Sequence, residues 1–496
     1  MRRIPFLLAA ILIGCSACSS AQPSARKVVA VTEVFGDGQQ VTAVAVQYNV
    51  PMDGTKLSAA DFSVVELTPS QLSQGGKDAD SAYVRMDRMI NKVYTNTAPE
   101  KSEGGRVGEW VILELAQIYH YMPGGGNGNQ GGPQGGPQGG PQGGPRGGNG
   151  EHRQGGGPGG PGGHGGPGGP GRNFRTAALP GKDAILEAYK GITSIPEFKA
   201  EVIQNGTLVS AKGKQVAPAS EALVSSETIN LVVDDFQQLE FKDEKTGIPM
   251  AYNLFVPKDY DPAKKYPLVL FMPDMTVAGK ETTRTLTQGI GATIWASAQE
   301  QAKHPCFVVA PDYLTMIIND VWQTNEYMQT TVDLLEALQQ EYSIDGNRLY
   351  TTGQSGGCML SMAMAHYYPD LFAGYLLMAG KWDETRIDNF VGDKMWMMCG
   401  EGDIGAFPNM NRIVAKLREK GVQVSEARWN GRASAEEFAR LCAEMDKEDA
   451  PIRYTHFIKN TVFPDDEHIS GSEHLQSWRV TYTIEGARDW LFRQSK

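Results

Sequence analysis

The pentapeptide Gly353-Gln354-Ser355-Gly356-Gly357 is the most informative segment of this chain. It follows a short strand-like run and precedes a helix-like run rich in methionine and alanine. Gly-x-Ser-x-Gly between a strand and a helix is the pattern of a nucleophile elbow, a turn so tight that it exposes the serine hydroxyl. Gly353 and Gly357 supply the small flanks that such a turn requires. The pattern therefore predicts that Ser355 is a nucleophile.

The residues around this pentapeptide alternate between strand-like and helix-like patterns from about residue 236 to residue 496. The run 267–272 is continuously apolar, which is typical of a strand covered on both faces. Alternating strands and helices indicate a mostly parallel sheet with helices on both sides. Together with the elbow, this pattern predicts an α/β fold of the α/β-hydrolase type over residues 236–496.

The N-terminal half has the patterns of a different fold class. Residues 28–34 and 40–48 read as half-buried strands joined by an Asp-Gly hairpin signal, and further strand-like runs continue to about residue 232. We expect an all-β sandwich over residues 27–232. Residues 123–172 interrupt it with tandem Gly-Gly-Pro-Gln repeats, a composition that cannot form a hydrophobic core. This tract is predicted to be a disordered insertion.

The first residues have the pattern of an export signal. A basic start is followed by an apolar run over residues 4–13, which is too short to span a bilayer, and then by Gly14-Cys15. Residues 12–15 resemble a bacterial lipoprotein box, which implies a signal peptide over 1–14, lipid attachment to Cys15 and a tether over 15–26. Cys18 is a poorer lipid site because Cys15 stands where the box requires an apolar residue. An ordinary secretory signal is the alternative.

Composition limits the partners and cofactors. The net charge of −11 argues against nucleic acid, and no later segment is apolar and long enough to cross a membrane. The remaining cysteines are too widely spaced to resemble a metal site. We therefore expect an exported, periplasmic or cell-surface lipoprotein that contacts the membrane only through Cys15 and that needs neither metal nor cofactor.

A serine nucleophile needs a histidine base within hydrogen-bond reach. In this fold the base lies in a loop near the end of the chain. His468 and His474 share such a loop, and His474 is favoured because it lies nearer the terminal helix. His456 lies within an apolar strand and His366 on the helix after the elbow, so both are disfavoured.

The histidine in turn needs an orienting acid between the serine and itself in sequence. Glu401 and Asp403 both end a strand and both qualify. Asp403 is favoured because it follows a small residue and starts the loop, and Asp383 is the runner-up.

The negative charge that develops during acyl transfer needs two backbone N–H donors. The sequence predicts those of Gly356, directly after the nucleophile, and of Met275, in the loop after strand 267–272. Asp274 must turn away from this oxyanion hole, because a carboxylate pointing into it would repel the negative charge.

From Asn253 to Phe492 the chain resembles secreted esterases and "predicted peptidases" of the α/β-hydrolase superfamily that carry an N-terminal immunoglobulin-like domain. The resemblance implies that residues 27–232 are an immunoglobulin-like sandwich, that His474 is the base and that Asp403 is the acid. The matching stretches are 252–261, 303–311, 353–357, 369–373, 400–403 and 474–478.

These observations predict a serine hydrolase that cleaves a small-molecule or polysaccharide-linked carboxylic ester through an acyl-enzyme intermediate. A serine peptidase similar to prolyl oligopeptidases is one alternative, since the same triad serves both reactions. A catalytically impaired binding protein is the other. It is motivated by Pro273-Asp274, which stands where related members carry His-Gly.

Overall fold

The computed structural model describes residues 22–72, 82–118, 178–192, 194–219, 221–279, 281–466, 469 and 472–496. The predicted signal peptide with Cys15, the Gly/Pro-rich tract 123–172 and His468 lie outside the described residues. The chain divides into two compact units. The first contains the described residues up to 118 together with 194–236, and the second contains 178–192 and 237–496.

The first unit is a β-sandwich. A five-stranded sheet has the order β11-β1-β2-β6-β5, a four-stranded sheet has the order β10-β7-β3-β4, and β8 pairs with β9. The strands are β1 (Ala25–Phe35), β2 (Gly38–Met52), β3 (Phe62–Pro69), β4 (Tyr83–Arg88), β5 (Ile90–Asn96), β6 (Gly108–Leu115), β7 (Lys199–Gln204), β8 (Leu208–Val209), β9 (Gln215–Val216), β10 (Leu223–Val224) and β11 (Glu227–Asn230).

The alternation of side chains along β2 shows how the sandwich is built. Val44, Val46 and Tyr48 enter the core that also contains Val64 of β3 and Val202 of β7. The intervening alanines of β2 join a second buried cluster with residues of β1 and β6. Because successive side chains of a strand point to opposite faces, β2 contributes to both clusters.

The second unit contains a nine-stranded sheet in the order β12-β13-β15-β14-β16-β17-β18-β20-β19. Strands β12 and β13 run antiparallel, β13 and β15 run antiparallel, and the remaining pairs are parallel. The strands are β12 (Gln237–Lys242), β13 (Pro249–Phe255), β14 (Tyr266–Met272), β15 (Phe307–Pro311), β16 (Ile344–Gln354), β17 (Gly374–Met378), β18 (Met395–Gly400), β19 (Val424–Trp429) and β20 (Ile452–Phe457).

Helices connect most of these strands. Every residue of β14, β15, β17 and β18 is buried. Continuous apolar strands predict this burial, because both faces of such a sheet are covered. The helices are α1 (Lys182–Tyr189), α2 (Arg284–Thr287), α3 (Thr293–Ala296), α4 (Ala298–Lys303), α5 (Tyr327–Glu341), α6 (Gly356–Tyr367), α7 (Ala406–Glu419), α8 (Ala435–Asp446), α9 (Glu473–Thr481) and α10 (Glu485–Phe492).

Helix α1 departs from the predicted domain boundaries. The sequence placed everything between residues 27 and 232 in the sandwich, whereas residues 178–192 group with the second unit. Lys182 Nζ donates to the carbonyl of Thr246 at 2.6 Å, and Asn325 Nδ2 donates to the carbonyl of Pro180 at 3.0 Å. The second unit therefore includes a helix that lies before the sandwich's last strands in sequence. Composition could not place it, because its partners are distant along the chain.

The parallel strands fix where a site can form. The carboxyl ends of parallel strands meet at one edge of a sheet, and in this fold class ligands bind there. The loops after β14, β15, β16, β17 and β18 all begin at that edge. Within the described ranges, no helix combines the length and the apolar character needed to cross a membrane.

Candidate active site

Ser355 occupies a strained backbone position between β16 and α6. Its φ of 53° and ψ of −117° lie in a region that non-glycine residues rarely adopt. A Cβ atom at Gly353 would lie 2.6 Å from the backbone of Gly357, and one at Gly357 would lie 2.0 Å from the carbonyl oxygen of Met272. Only glycine allows so close a backbone approach, and the close approach holds the turn that presents the serine hydroxyl.

His474 and Asp403 lie in line with that hydroxyl. His474 Nε2 is 2.8 Å from Ser355 Oγ, and His474 Nδ1 is 2.5 Å from Asp403 Oδ2. The histidine is 119 residues from the serine and 71 from the aspartate in sequence. The structure thus brings together the three side chains that the sequence proposed as a triad.

Asp403 is a buried carboxylate that remains ionised. Burial alone would raise its pKa, but the hydrogen bond and charge of His474, together with two backbone N–H groups, outweigh burial and lower the pKa. Those N–H groups belong to Ala406 and Gly405 at the start of α7, and they lie 2.8 and 2.9 Å from Oδ1. An ionised carboxylate can only accept, so His474 Nδ1 donates to Asp403. In the neutral imidazole with its proton on Nδ1, Nε2 is left to accept from the Ser355 hydroxyl.

The sequence predicted a loop around His474, but the structure places it in the first turn of α9, since the helix begins at Glu473. His474 is anchored on both sides. The hydroxyl of Ser472 caps α9 by accepting from the backbone N–H of His474 at 3.2 Å, and Ser477 Oγ donates to the carbonyl of His474 at 3.0 Å. The Trp478 ring packs edge-on against the imidazole, with centroids 5.5 Å apart. These contacts fix the orientation of the ring relative to Ser355.

Glu473 is a functional candidate that the sequence did not reveal. Its carboxylate is buried and accepts from the backbone N–H of Gly402 and from that of Asn460, both at 2.6 Å. It therefore joins the first turn of α9, which carries His474, to the loop that carries Asp403. A glutamate at the first position of a helix is usually explained by the helix dipole, so no sequence pattern pointed to this role.

The other candidate acids have different partners. Glu401 accepts from Arg428 at 2.5 and 2.9 Å and from His456 Nδ1 at 2.9 Å. Mainly because of the hydrogen bond from Arg428, its pKa falls to about 2. Asp383 closes its own turn by accepting from the backbone N–H and the hydroxyl of Thr385. Neither acid is hydrogen-bonded to His474.

The disfavoured histidines also lie elsewhere. His456 of β20 sits between Glu401 and Glu426, and His366 of α6 packs against the rings of Tyr367 and Trp382. Neither is hydrogen-bonded to Ser355.

The predicted oxyanion donors adjoin each other beside Ser355. A Cβ atom on Gly356 would lie 2.6 Å from Cγ and 3.5 Å from the backbone nitrogen of Met275. Asp274, which the sequence required to turn away, is 2 % exposed, and its carboxylate accepts from the backbone N–H of Thr276 at 2.7 Å and from Gln354 Nε2 at 3.4 Å. These two contacts hold the carboxylate, and Asp274 is not among the residues that line the cavity described next.

A cavity of about 360 Å³ opens in front of Ser355 and is mostly apolar. Its size lies at the small end of the range for small-molecule sites. The lining residues are Met275, Thr276, Met316, Ile318, Asn319, Asp320, Ser355, Gly356, Met359, Ala379, Lys381, Asp403, Gly405, Ala406 and His474.

The described residues contain no group of three or more histidine, cysteine, aspartate or glutamate side chains that could hold a metal ion. Within the same ranges the cysteines are buried free thiols, and burial raises the pKa of each. They are Cys306, Cys358, Cys399 and Cys442.

Comparison with known proteins identifies the class of each unit. Residues 27–217 match the family model of an esterase Ig-like N-terminal domain. The crystal structure of a thermostable esterase is similar to 95 % of this chain and to 100 % of its own, with 24 % sequence identity and a TM-score of 0.67. The predicted fold class is confirmed: an immunoglobulin-like sandwich precedes an α/β-hydrolase domain.

Two other solved structures are similar to about half of this chain. A ferulic acid esterase from Anaeromyces mucronatus has 13 % identity over 51 % of this chain and 91 % of its own, with a TM-score of 0.34. A feruloyl esterase module from Clostridium thermocellum has 13 % identity over 50 % of this chain and 88 % of its own, also with a TM-score of 0.34. A search of curated protein sequences gave no match.

Proposed function

We propose that the protein is a serine hydrolase that cleaves carboxylic esters. The observation that carries this proposal is the hydrogen-bonded line Ser355–His474–Asp403, with distances of 2.8 and 2.5 Å, at the wall of an apolar cavity. The ester preference is supported by the match of residues 27–217 to a domain of esterases.

In the first half-reaction, Ser355 Oγ attacks the acyl carbon of the ester while its proton moves to His474 Nε2. The backbone N–H groups of Gly356 and Met275 stabilise the oxyanion, and one such donor contributes about 3 kcal/mol in comparable sites. Asp403 stabilises the imidazolium. The intermediate then collapses, the bond from the acyl carbon to the alcohol oxygen breaks, and the alcohol leaves with the proton from His474 Nε2.

The second half-reaction releases the acyl group. A water molecule attacks the acyl carbon and gives its proton to His474 Nε2. The bond from the acyl carbon to Ser355 Oγ breaks, and Oγ recovers a proton from the imidazolium. The products are a carboxylic acid and the free enzyme.

A fluorophosphonate probe tests the nucleophile directly, because it phosphonylates only an activated serine. We expect labelling of the native chain, no labelling of Ser355→Ala, and full labelling of Ser434→Ala, whose serine caps α8. Absence of label on the native chain would contradict the proposal and favour an impaired binding protein.

Substrate class is tested with a matched pair, para-nitrophenyl butyrate against the para-nitroanilide of a short peptide. We expect the ester to be hydrolysed with the higher kcat/KM, and the difference to disappear with Ser355→Ala. Faster cleavage of the peptide anilide would instead assign the protein to the serine peptidases.

We also propose that the chain is an exported bacterial lipoprotein, periplasmic or at the cell surface, anchored at Cys15. Support comes from the basic start, the apolar run and the lipoprotein-like box that ends at Cys15. Metabolic labelling with palmitate should mark the native chain but not Cys15→Ser. Label that persists in Cys15→Ser and disappears in Cys18→Ser would assign the lipid anchor to Cys18 instead.

A further inference from the structure

Two charged side chains form an ion pair at the wall of the cavity and take no part in the chemistry proposed above. Lys381 Nζ lies 2.9 Å from Asp320 Oδ1. Both residues line the cavity together with Ser355, although Asp320 comes from the loop after β15 and Lys381 from the loop after β17. The pair thus joins two loops that project from different parallel strands.

Both loops hold these side chains in place. In the first, Asn319 Oδ1 accepts from the backbone N–H groups of Val321 and Gln323, and Ile318 pairs with Thr324, so Asp320 sits in a short closed turn. In the second, Asn409 is hydrogen-bonded to both the N–H and the carbonyl of Trp382, the residue after Lys381. The ion pair is therefore presented by ordered backbone on both sides.

The pair is accessible, so folding stability alone does not account for it. The side chains of Lys381 and Asp320 are 34 % and 27 % exposed, and ion pairs at such positions contribute little to stability. The stem of Lys381 runs beside the catalytic loop, since a Cβ on Gly405 would lie 3.8 Å from its Cδ. A molecule in the cavity would contact both charges.

The residues around the ion pair determine which chemical group of a bound molecule can lie beside it. The cavity walls near the pair are apolar, including Met316, Ile318 and Met359, and a few placed polar groups in such a pocket fix orientation. An apolar group beside the pair would desolvate two charges without compensation. An anionic group would be repelled by the carboxylate of Asp320, and a cationic group would be repelled by the ammonium of Lys381. A neutral hydroxyl can accept from Lys381 and donate to Asp320 at the same time.

On the basis of the proposed ester hydrolysis, we infer that Lys381 and Asp320 recognise a hydroxyl group on the part of the ester that fills the cavity. The substrate class is then a hydroxylated, otherwise apolar ester, with the hydroxyl on either the acyl or the alcohol part. Both residues determine specificity by binding substrate, and neither takes part in proton transfer.

Two matched ester pairs test this inference and distinguish the two sources of the hydroxyl. In the acyl arm, para-nitrophenyl ω-hydroxyhexanoate is compared with the heptanoate, which replaces the hydroxyl by a methyl group. In the alcohol arm, hexanediol monoacetate is compared with heptyl acetate. We expect one arm to favour the hydroxylated ester by roughly tenfold or more in kcat/KM, as for hydrogen bonds to charged groups.

Variants connect that preference to the pair. Lys381→Met and Asp320→Leu should each bring the ratio of kcat/KM values close to one, and Asp320→Asn, which keeps an acceptor oxygen, should retain part of it. Lys303→Met is the matched control, because Lys303 is an ion-paired lysine with 41 % exposure that does not line the cavity. Its ratio should equal that of the native chain.

The failure of this inference can be separated from failure of the proposed function. If the fluorophosphonate labels Ser355 but neither arm shows a hydroxyl preference, or the preference survives in Lys381→Met, the inference is overturned and the hydrolase remains. If the fluorophosphonate does not label Ser355, both the proposed ester hydrolysis and the hydroxyl recognition are overturned.

Discussion

Two histidine–carboxylate pairs extend from the same short loop after β18, and they have different surroundings. Asp403 accepts from His474 Nδ1 at 2.5 Å, and Glu401, two residues earlier, accepts from His456 Nδ1 at 2.9 Å. The other ring nitrogen of His474 lies 2.8 Å from Ser355 Oγ, whereas that of His456 lies 3.5 Å from a carboxylate oxygen of Glu426. Only one of the two imidazoles can therefore take a proton from a hydroxyl.

This difference follows from what each carboxylate contacts. Glu401 is tied to Arg428 of the edge strand β19, an arginine whose side chain is exposed. Asp403 is buried and receives two backbone N–H groups at the start of α7. A histidine–carboxylate pair alone therefore does not identify a catalytic site, because the group that contacts the second ring nitrogen decides the role of the histidine.

The largest expected effect separates the two histidines. His474→Ala should lower kcat for ester hydrolysis by roughly 10⁵- to 10⁶-fold, because the base that takes the serine proton is lost. His456→Ala should retain kcat within a few-fold. Steady-state kinetics on one ester, with thermal unfolding as a check on folding, measure both. Full activity in His474→Ala would remove the proposed base.

The two acids should differ next. Asp403→Asn should lower kcat by about 10⁴-fold, because the amide no longer stabilises the imidazolium or its productive tautomer. Glu401→Gln should leave kcat within a few-fold but cost on the order of 1 kcal/mol of stability at neutral pH.

The sign of that stability effect follows from the pKa of Glu401, which the fold lowers to about 2. Its contribution is present above the unfolded pKa and is lost as pH falls through the folded value. The deficit of Glu401→Gln should therefore shrink as pH falls and disappear below about pH 2, which urea titrations from pH 7 down to that value would show. A large loss of kcat in Glu401→Gln would show that Glu401, and not Asp403, is the acid that supports catalysis.

A smaller effect concerns Glu473, which joins the start of α9, beside His474, to the loop that carries Asp403. In Glu473→Gln an amide group must face one of the two backbone N–H donors, those of Gly402 and Asn460, so one contact becomes repulsive. We expect kcat to fall roughly 10- to 100-fold with little change in KM, as for small misplacements of catalytic groups. Glu485→Gln, at the first position of α10, is the control and should keep its kcat.

A purely structural role for Glu473 would lower the unfolding temperature without slowing the reaction of folded enzyme with the fluorophosphonate. Comparing the phosphonylation rate with the unfolding temperature therefore distinguishes positioning from folding.

The smallest expected effect uses a third acid, Asp312, which is buried like Asp403 but has no histidine partner among the described residues. One of its carboxylate oxygens has no hydrogen-bond partner in those residues, and burial raises its pKa to about 7. Between about pH 4 and pH 7 the folded chain holds this proton and the unfolded chain does not. The contribution of Asp312 to the free energy of unfolding therefore falls as pH rises through this window.

Asp312→Asn should make that slope shallower by up to about 1.4 kcal/mol per pH unit. Asp393, whose pKa burial also raises to about 7, should maintain a residual slope. Tryptophan fluorescence is a suitable probe in urea titrations, because seven of the eight tryptophans lie in the second unit. An unchanged slope would show that Asp312 is ionised in the folded chain.

The fold class was predictable from local patterns. Continuous apolar runs, alternating with helices, indicated the mostly parallel sheet, and β-type alternation indicated the sandwich. Helix α1 was not predictable, because eight residues of helix do not reveal which unit they pack against. Within the site, the elbow could be located to the residue, whereas His468 and His474, or Glu401 and Asp403, remained alternatives in the sequence.

The amino-acid sequence was enough to locate the turn around Ser355, because Gly353 approaches the backbone of Gly357 only four residues away. Tertiary structure alone decided which carboxylate meets His474, how Glu473 joins the loops, and that Lys381 and Asp320 face each other. Those contacts connect residues 61 to 71 positions apart, and their geometry depends on strand order and loop closure. The physical reason is range: sterics along the backbone act locally, while hydrogen bonds between distant loops exist only once the sheet has assembled.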